Sequence, residues 1–282
     1  MAVVAATGLW ATLGVAGKTL YAAGAQPFAV IGWRAAIAGV VLLGALAVRA
    51  PGRLRVPARE IPFFALFGLV VAGNYACYFL ALQRVPVAVA IILLYTYPAF
   101  TALAARVLFN EPLTGRKILA VALTFAGIVL IAVGGNAPSM RVSPAGLLLG
   151  LGSGLTMAAY GLMGKRATRR FSPWTTACYS FAAAAVWLTL VRSQEMAGAL
   201  AYAPAMWAGL LYLAVGPTLL AYGLFLWAVQ RVDVSRVSVW TTLEPPISSL
   251  LALVVLGEAI SPSQGLGGLV ILAGVMTMTT AP

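Results

Sequence analysis

Ten apolar runs of about twenty residues, separated by short clusters of proline, glycine and charge, constrain this chain more than any other feature. They fall at 3–22, 27–48, 61–82, 86–108, 115–134, 144–164, 173–192, 204–229, 237–256 and 263–280. A helix rises 1.5 Å per residue, so about 20 residues cross the ~30 Å hydrocarbon core of a bilayer. In lipid every backbone N–H and C=O must be satisfied within the chain, which excludes open sheets and leaves helices. Most runs are apolar all round, unlike the single stripe of a soluble bundle. Only 9% of the 282 residues are charged, against roughly 25% in a soluble domain, too few to wet a water-facing surface. The expected fold is an all-α membrane protein of ten transmembrane helices with no separate soluble domain. The run from Ala2 lacks the charged start and cleavage site of a signal peptide and reads as the first span.

The net charge of +12 could suggest a nucleic-acid partner, but its distribution argues for topology. Connections after spans 2, 4, 6 and 8 hold thirteen basic residues: Arg49, Arg53, Arg55, Arg59, Arg106, Arg116, Lys117, Lys165, Arg166, Arg169, Arg170, Arg231 and Arg236. The opposite connections hold Arg84, Arg141 and Arg192, while Lys18 and Arg34 lie within spans. The positive-inside rule then puts the even-numbered loops and both termini in the cytoplasm. No nucleic-acid partner is expected; the partners are the lipid bilayer and a small-molecule substrate, with the chain working as a monomer.

Sliding the sequence on itself by 147 residues, without a gap, aligns one special residue after another. Gly14, Gly17 and Lys18 fall on Gly161, Gly164 and Lys165; Pro57 on Pro204; Tyr75 on Tyr222; Gln83-Arg84-Val85 on Gln230-Arg231-Val232. Pro98 falls on Pro245, Glu111 on Glu258 and Gly127 on Gly274. Chance matching of Ala, Leu and Val does not produce that register. Each half, 1–135 and 136–282, holds five spans, an odd number, so the second enters the membrane from the opposite side. Inverted repeats of this kind are the architecture of many secondary transporters, where two similar halves exchange conformations around one site.

The paired segments LFNEPLTGRKILAVALTFAGIVLI (108–131) and VLGEAISPSQGLGGLVILAGVMTM (255–278) resemble the end signature of the EamA-type repeat of the drug/metabolite transporter superfamily. The resemblance spans both repeats and is greatest to YddG-type exporters of aromatic and other amino acids. It implies a bacterial inner-membrane carrier whose central cavity is lined by spans 1, 3, 4, 6, 8 and 9, with spans 5 and 10 at the periphery.

Candidate chemistry is sparse. The chain has no histidine, the usual proton shuttle near neutral pH, and no nucleophile–base pair, so an enzyme is not expected. Gly17-Lys18-Thr19 resembles the end of a phosphate-binding loop, but Thr12 stands where its first glycine is required. No cofactor or metal is expected: Cys77 and Cys178 lie in apolar spans with no neighbour at ligand spacing. Transport would run on gradients.

Spans 4 and 9 carry Pro98 and the pair Pro245-Pro246 in mid-membrane. Proline lacks its N–H and clashes with the carbonyl four residues back, so the carbonyls of Leu94, Thr241 and Thr242 lose their usual partners. Paired interrupted segments point to a carrier's site, and the three prolines read as helix breaks beside it. Glu244 precedes Pro245 deep in span 9 and is a candidate for a substrate ammonium or a proton, or the structural partner of a basic residue. Glu111 and Glu258 sit at span ends, where anchoring the turn into the following helix is the favoured role. Lys18 and Arg34 read as structural, with contact to a substrate carboxylate as the alternative for Lys18. On the lining spans, Trp10, Asn74, Tyr78, Tyr95, Tyr97, Tyr160, Tyr222 and Trp240 are candidate substrate contacts. Aromatic walls with a few hydrogen-bonding groups suit amphipathic or aromatic metabolites. The leading reading is an amino-acid exporter. The alternatives are a drug or other metabolite carrier of the same fold, and, from another class, a membrane-embedded enzyme or lipid flippase.

Overall fold

The structure is a computed structural model that describes residues 1–134, 143–257 and 259–279, without the side chains of Lys18, Leu256 and Thr279. Arg141, Glu258 and the Lys18 side chain therefore lie outside the described residues. Among the described residues, nine helical segments are long and apolar enough to cross a membrane, and Pro262–Met278 is a shorter tenth. Seven spans are unbroken at their centres: α1 (Ala2–Ala22), α2 (Pro27–Arg49), α3 (Ile61–Leu82), α6 (Gly115–Val133), α7 (Pro144–Thr168), α8 (Pro173–Gly198), which is kinked near its end, and α13 (Pro262–Thr279). Span 4 is split into α4 (Val87–Leu94) and α5 (Tyr97–Phe109), and span 9 into α11 (Val234–Trp240) and α12 (Glu244–Leu256). Span 8 consists of α9 (Pro204–Leu213) and α10 (Ala221–Arg231), joined by a π-helical stretch, Ala214–Leu220.

Local chemistry explains the ends. Pro27, Pro144, Pro173 and Pro204 open their helices at the first position, where a missing N–H is harmless and φ is already helical. Thr114, Ser143 and Ser172 cap α6, α7 and α8 by accepting the N–H of Lys117, Gly146 and Thr175. At their far ends α5 and α12 stop on left-handed residues, Asn110 (φ 56°) and Gly257 (φ 69°), which stand 147 positions apart. The paired starts Val87 and Val234, Tyr97 and Glu244, and Gly115 and Pro262 keep the same spacing.

Packing follows the register as well. α6 lies against α13, α2 against α8, α3 against α7 and α8, and α1 against α10 and α12. A Cβ on Gly127 would sit 2.6 Å from the Gly267 carbonyl oxygen, and one on its mate Gly274 3.1 Å from that of Ala120. Both glycines thus let α6 and α13 touch backbone to backbone, the device by which helices associate in lipid without a hydrophobic drive.

Several expected boundaries move. α7 runs on to Thr168, so Lys165 and Arg166 occupy its last turn instead of a loop; long basic stems lie along apolar surface while their heads reach water, so charge does not end the helix. α8 continues to Gly198 through a kink at Arg192 (φ −134°, ψ 42°), where sequence reading placed a connection. There the guanidinium stacks over Phe28 at 4.7 Å and faces Glu195 at 3.6 Å. The π-helical stretch surrounds Pro217, and the Thr218 hydroxyl donates to the Leu213 carbonyl at 2.8 Å, the carbonyl whose usual donor four residues on is replaced by that proline.

Candidate functional site

The two interrupted spans meet. At the break in span 9, residues Thr241–Leu243 tighten into a 3-10 turn, and the Glu244 N–H bonds the Thr241 carbonyl. That carbonyl is therefore not orphaned, as loss of its usual partner alone would suggest. At the break in span 4, the Leu93 and Leu94 carbonyls approach Gly154 of α7 so closely that a Cβ there would stand 2.8 and 3.0 Å from them. The Tyr97 hydroxyl links the breaks: it donates to the Ser238 carbonyl at 3.2 Å and shares a short contact with the Thr241 hydroxyl. Pro98 and Pro245 lie in the first turns of α5 and α12, where the sequence placed the breaks.

The candidate residues fall into two adjoining groups. Tyr95 and Tyr97 pack with ring centroids 5.8 Å apart, and Tyr95 lies within electrostatic range of the Glu244 carboxylate. Tyr78 and Tyr97 also lie within electrostatic range of Glu244. The second group centres on Tyr222, which meets Trp10 at 4.9 Å, Tyr160 at 5.1 Å and Phe181 at 5.4 Å, all edge-on. Edge-to-face contacts place the positive ring edge on the negative face of the neighbour. Met157 and Trp240 pack against both groups.

Between Tyr75, Tyr160 and Tyr222 lies a cavity of about 10 Å³, room for one water-sized sphere, completed by Val71, Asn74 and Met157. Asn74 lines it, but its amide nitrogen is committed to the Ser153 carbonyl of α7 at 2.8 Å. Its geometry, like that of the Tyr97 hydroxyl, joins helices.

Three residues that sequence reasoning set aside belong here. Arg34 is buried and donates to the Tyr75 hydroxyl at 2.9 Å, with its guanidinium 4.8 Å from that ring. Tyr75 in turn donates to Tyr222, its mate in the 147-residue register, at 3.5 Å. The repeat alignment itself was the available signal: residues that pair with their own mates lie where the halves meet. Glu111 faces Lys117, in the first turn of the helix that follows it, at 3.6 Å. It reaches α11, accepting the Val234 N–H at 2.8 Å, the Ser235 N–H at 3.3 Å and the Ser235 hydroxyl.

The EamA-like transporter family model matches residues 1–133 and again 144–280. The chain belongs to the EamA-like transporter family. This family member is 30% identical over 247 residues to a "Probable terminal-alkyne amino-acid exporter" of Streptantibioticus cattleyicolor, covering 86% of this chain and 79% of the relative. It is 28% identical over 234 residues to the threonine/homoserine exporter RhtA of Escherichia coli K12, covering 81% and 75%. An uncharacterized transporter of Archaeoglobus fulgidus is 30% identical, covering 78% and 76%. A solved crystal structure shares the fold, with a TM-score of 0.83 and 24% identity over 99% of this chain and 95% of that one. This EamA-family chain is therefore a multi-pass membrane transporter of small molecules, and not an enzyme.

Proposed function

We propose that the chain is a secondary carrier exporting amino acids, aromatic ones included, by alternating access between two inverted halves, 1–135 and 136–282. The observation that carries this reading is Glu244: a carboxylate at the break of a transmembrane helix, within electrostatic range of Tyr78, Tyr95 and Tyr97. An ionised side chain at the centre of a membrane helix costs about 2.5–3.5 kcal/mol on insertion scales and marks a substrate or ion path. A carboxylate among tyrosine hydroxyls and rings fits an ammonium group attached to an apolar or aromatic body. Two relatives named as amino-acid exporters support the substrate class. The Tyr75–Tyr222 contact supports the inverted halves, because residues at the same place in each half touch only on the axis relating them.

In this reading the substrate contacts are Trp10, Asn74, Tyr78, Tyr95, Tyr97, Tyr160, Tyr222, Trp240 and Glu244, and Asn74 and Tyr97 also hold the lining helices in place. Pro98, Pro245 and Pro246 keep the breaks open. The protein works as a monomer in the bacterial inner membrane with both termini cytoplasmic, the side on which its basic residues concentrate. Efflux of labelled threonine and phenylalanine from liposomes containing the pure protein, with and without a proton gradient, tests the proposal. Release well above that of empty liposomes is expected. If neither amino acid leaves faster than through bare lipid, the proposal is wrong.

A further inference from the structure

Resting on the amino-acid reading, a second pole of the site can be located from unmet hydrogen-bonding capacity. Among the described residues, buried atoms without a hydrogen-bond partner include the Trp10 indole Nε1, the Arg34 Nε and the Tyr160 hydroxyl. Indole and guanidinium nitrogens can only donate, and a phenol donates readily. All three belong to side chains gathered on one tyrosine pair. Trp10 and Tyr160 hold their rings against Tyr222, and Arg34 donates to Tyr75, which donates to Tyr222. Tyr75, Tyr160 and Tyr222 also line the same small cavity. Buried polar groups in native proteins are almost always paired, so donors left over at one place call for an acceptor the protein does not supply.

Charge points the same way. Arg34 is only 6% exposed, and among the described residues no carboxylate lies within 4 Å of it. Glu244 senses it at longer range. A buried guanidinium without a counter-charge is unfavourable in a medium of low dielectric, and its planar fork of donors matches a carboxylate better than an ammonium would. Glu244 supplies the opposite arrangement, an acceptor among tyrosines. We propose that Arg34, assisted by Trp10, Tyr160 and Tyr222, binds the substrate's α-carboxylate, while Glu244 receives its α-ammonium, so that the two charges read the zwitterion of an α-amino acid. Tyr75 is a positioning residue that orients the guanidinium. Because Tyr75 and Tyr222 are repeat mates in contact, the carboxylate pole sits on the axis between the halves, where the alternation of the repeats displaces atoms least.

The test uses ligand-induced thermal stabilisation of the pure full-length protein with matched pairs: phenylalanine and phenylalaninamide, threonine and threoninamide, 3-phenylpropionate and 3-phenylpropanamide. Wild type is expected to bind each carboxylate about ten- to a hundred-fold more tightly than its amide, the range for hydrogen bonds to charged groups. R34Q should bring the two members of each pair to within about threefold. R34K keeps the charge and loses the fork, so a preference reduced several-fold is expected, and it decides the matter if R34Q does not fold. Y75F should weaken the preference, read as the ratio of acid to amide affinity, which a general loss of stability leaves unchanged. Equal binding of acid and amide by wild type, an undiminished preference in R34Q or R34K, or equal stabilisation by inorganic phosphate would overturn the proposal. Carboxylate preference with no amino-acid efflux would refute the exporter reading alone; efflux without carboxylate preference would refute this inference alone.

Discussion

Replacing Glu111 with alanine removes the group that starts span 9. Asp233 occupies the N-cap position of α11, yet its side chain caps nothing, because it is bonded to Lys117 Nζ at 3.0 Å. The first-turn N–H groups of Val234 and Ser235 go instead to Glu111, which also faces Lys117 at 3.6 Å. Glu111 and Lys117 are each 6% exposed. The alanine variant therefore leaves two buried N–H groups and a hydroxyl without their acceptor, and an ammonium with a single, half-exposed partner. Breaking a buried charged pair from one side costs about 3–5 kcal/mol, consistent with two or three lost bonds to a charged acceptor at about 1.5–3 kcal/mol each, less the overlap between them. At roughly 2–4 °C per kcal/mol for chains near this size, the melting temperature followed by intrinsic fluorescence should fall by about 10 °C. Glu111→Gln keeps one carbonyl acceptor and should lose about half as much. A Glu111→Ala protein melting within about 2 °C of wild type would refute the reasoning that this carboxylate caps α11 from another span.

Two further outcomes are expected. Gly127→Leu should destabilise the protein by about 1–3 kcal/mol, the usual range for overpacking, because its Cβ would meet the Gly267 carbonyl at 2.6 Å; Leu at the exposed Gly44, where a Cβ meets nothing within 4 Å, should leave the melting temperature within a degree or two, and equal effects would count against close backbone contact. A reporter fused after Pro282 should be active only in its cytoplasmic form; a periplasmic signal would overturn the orientation drawn from the basic loops.

The sequence made the helix breaks legible because proline acts locally: Pro98 and Pro245 stop a helix whatever surrounds them, and the matched starts of α5 and α12 follow. Pro217 had no mate in the register, its counterpart being Val70, and the π-helical turn around it passed unseen. Side-chain partners were the least legible part. In helices apolar all round, periodicity does not say which face meets which neighbour. The sequence therefore did not show that Asn74 and Tyr97 place polar atoms on Ser153, Ser238 and Thr241 of other spans. Arg34 looked partnerless for the same reason: its partner, Tyr75, lies 41 residues away on another span.

The central claim is that one site, closed in turn to each side, carries an amino acid with Glu244 as its ammonium contact. Counterflow tests it most directly. Liposomes loaded with unlabelled phenylalanine or threonine, placed in a trace of the labelled compound, should accumulate label transiently above equilibrium with wild type and at least tenfold more slowly with Glu244→Gln. Absence of any overshoot, or an overshoot of equal rate in the Glu244→Gln protein, would contradict the account.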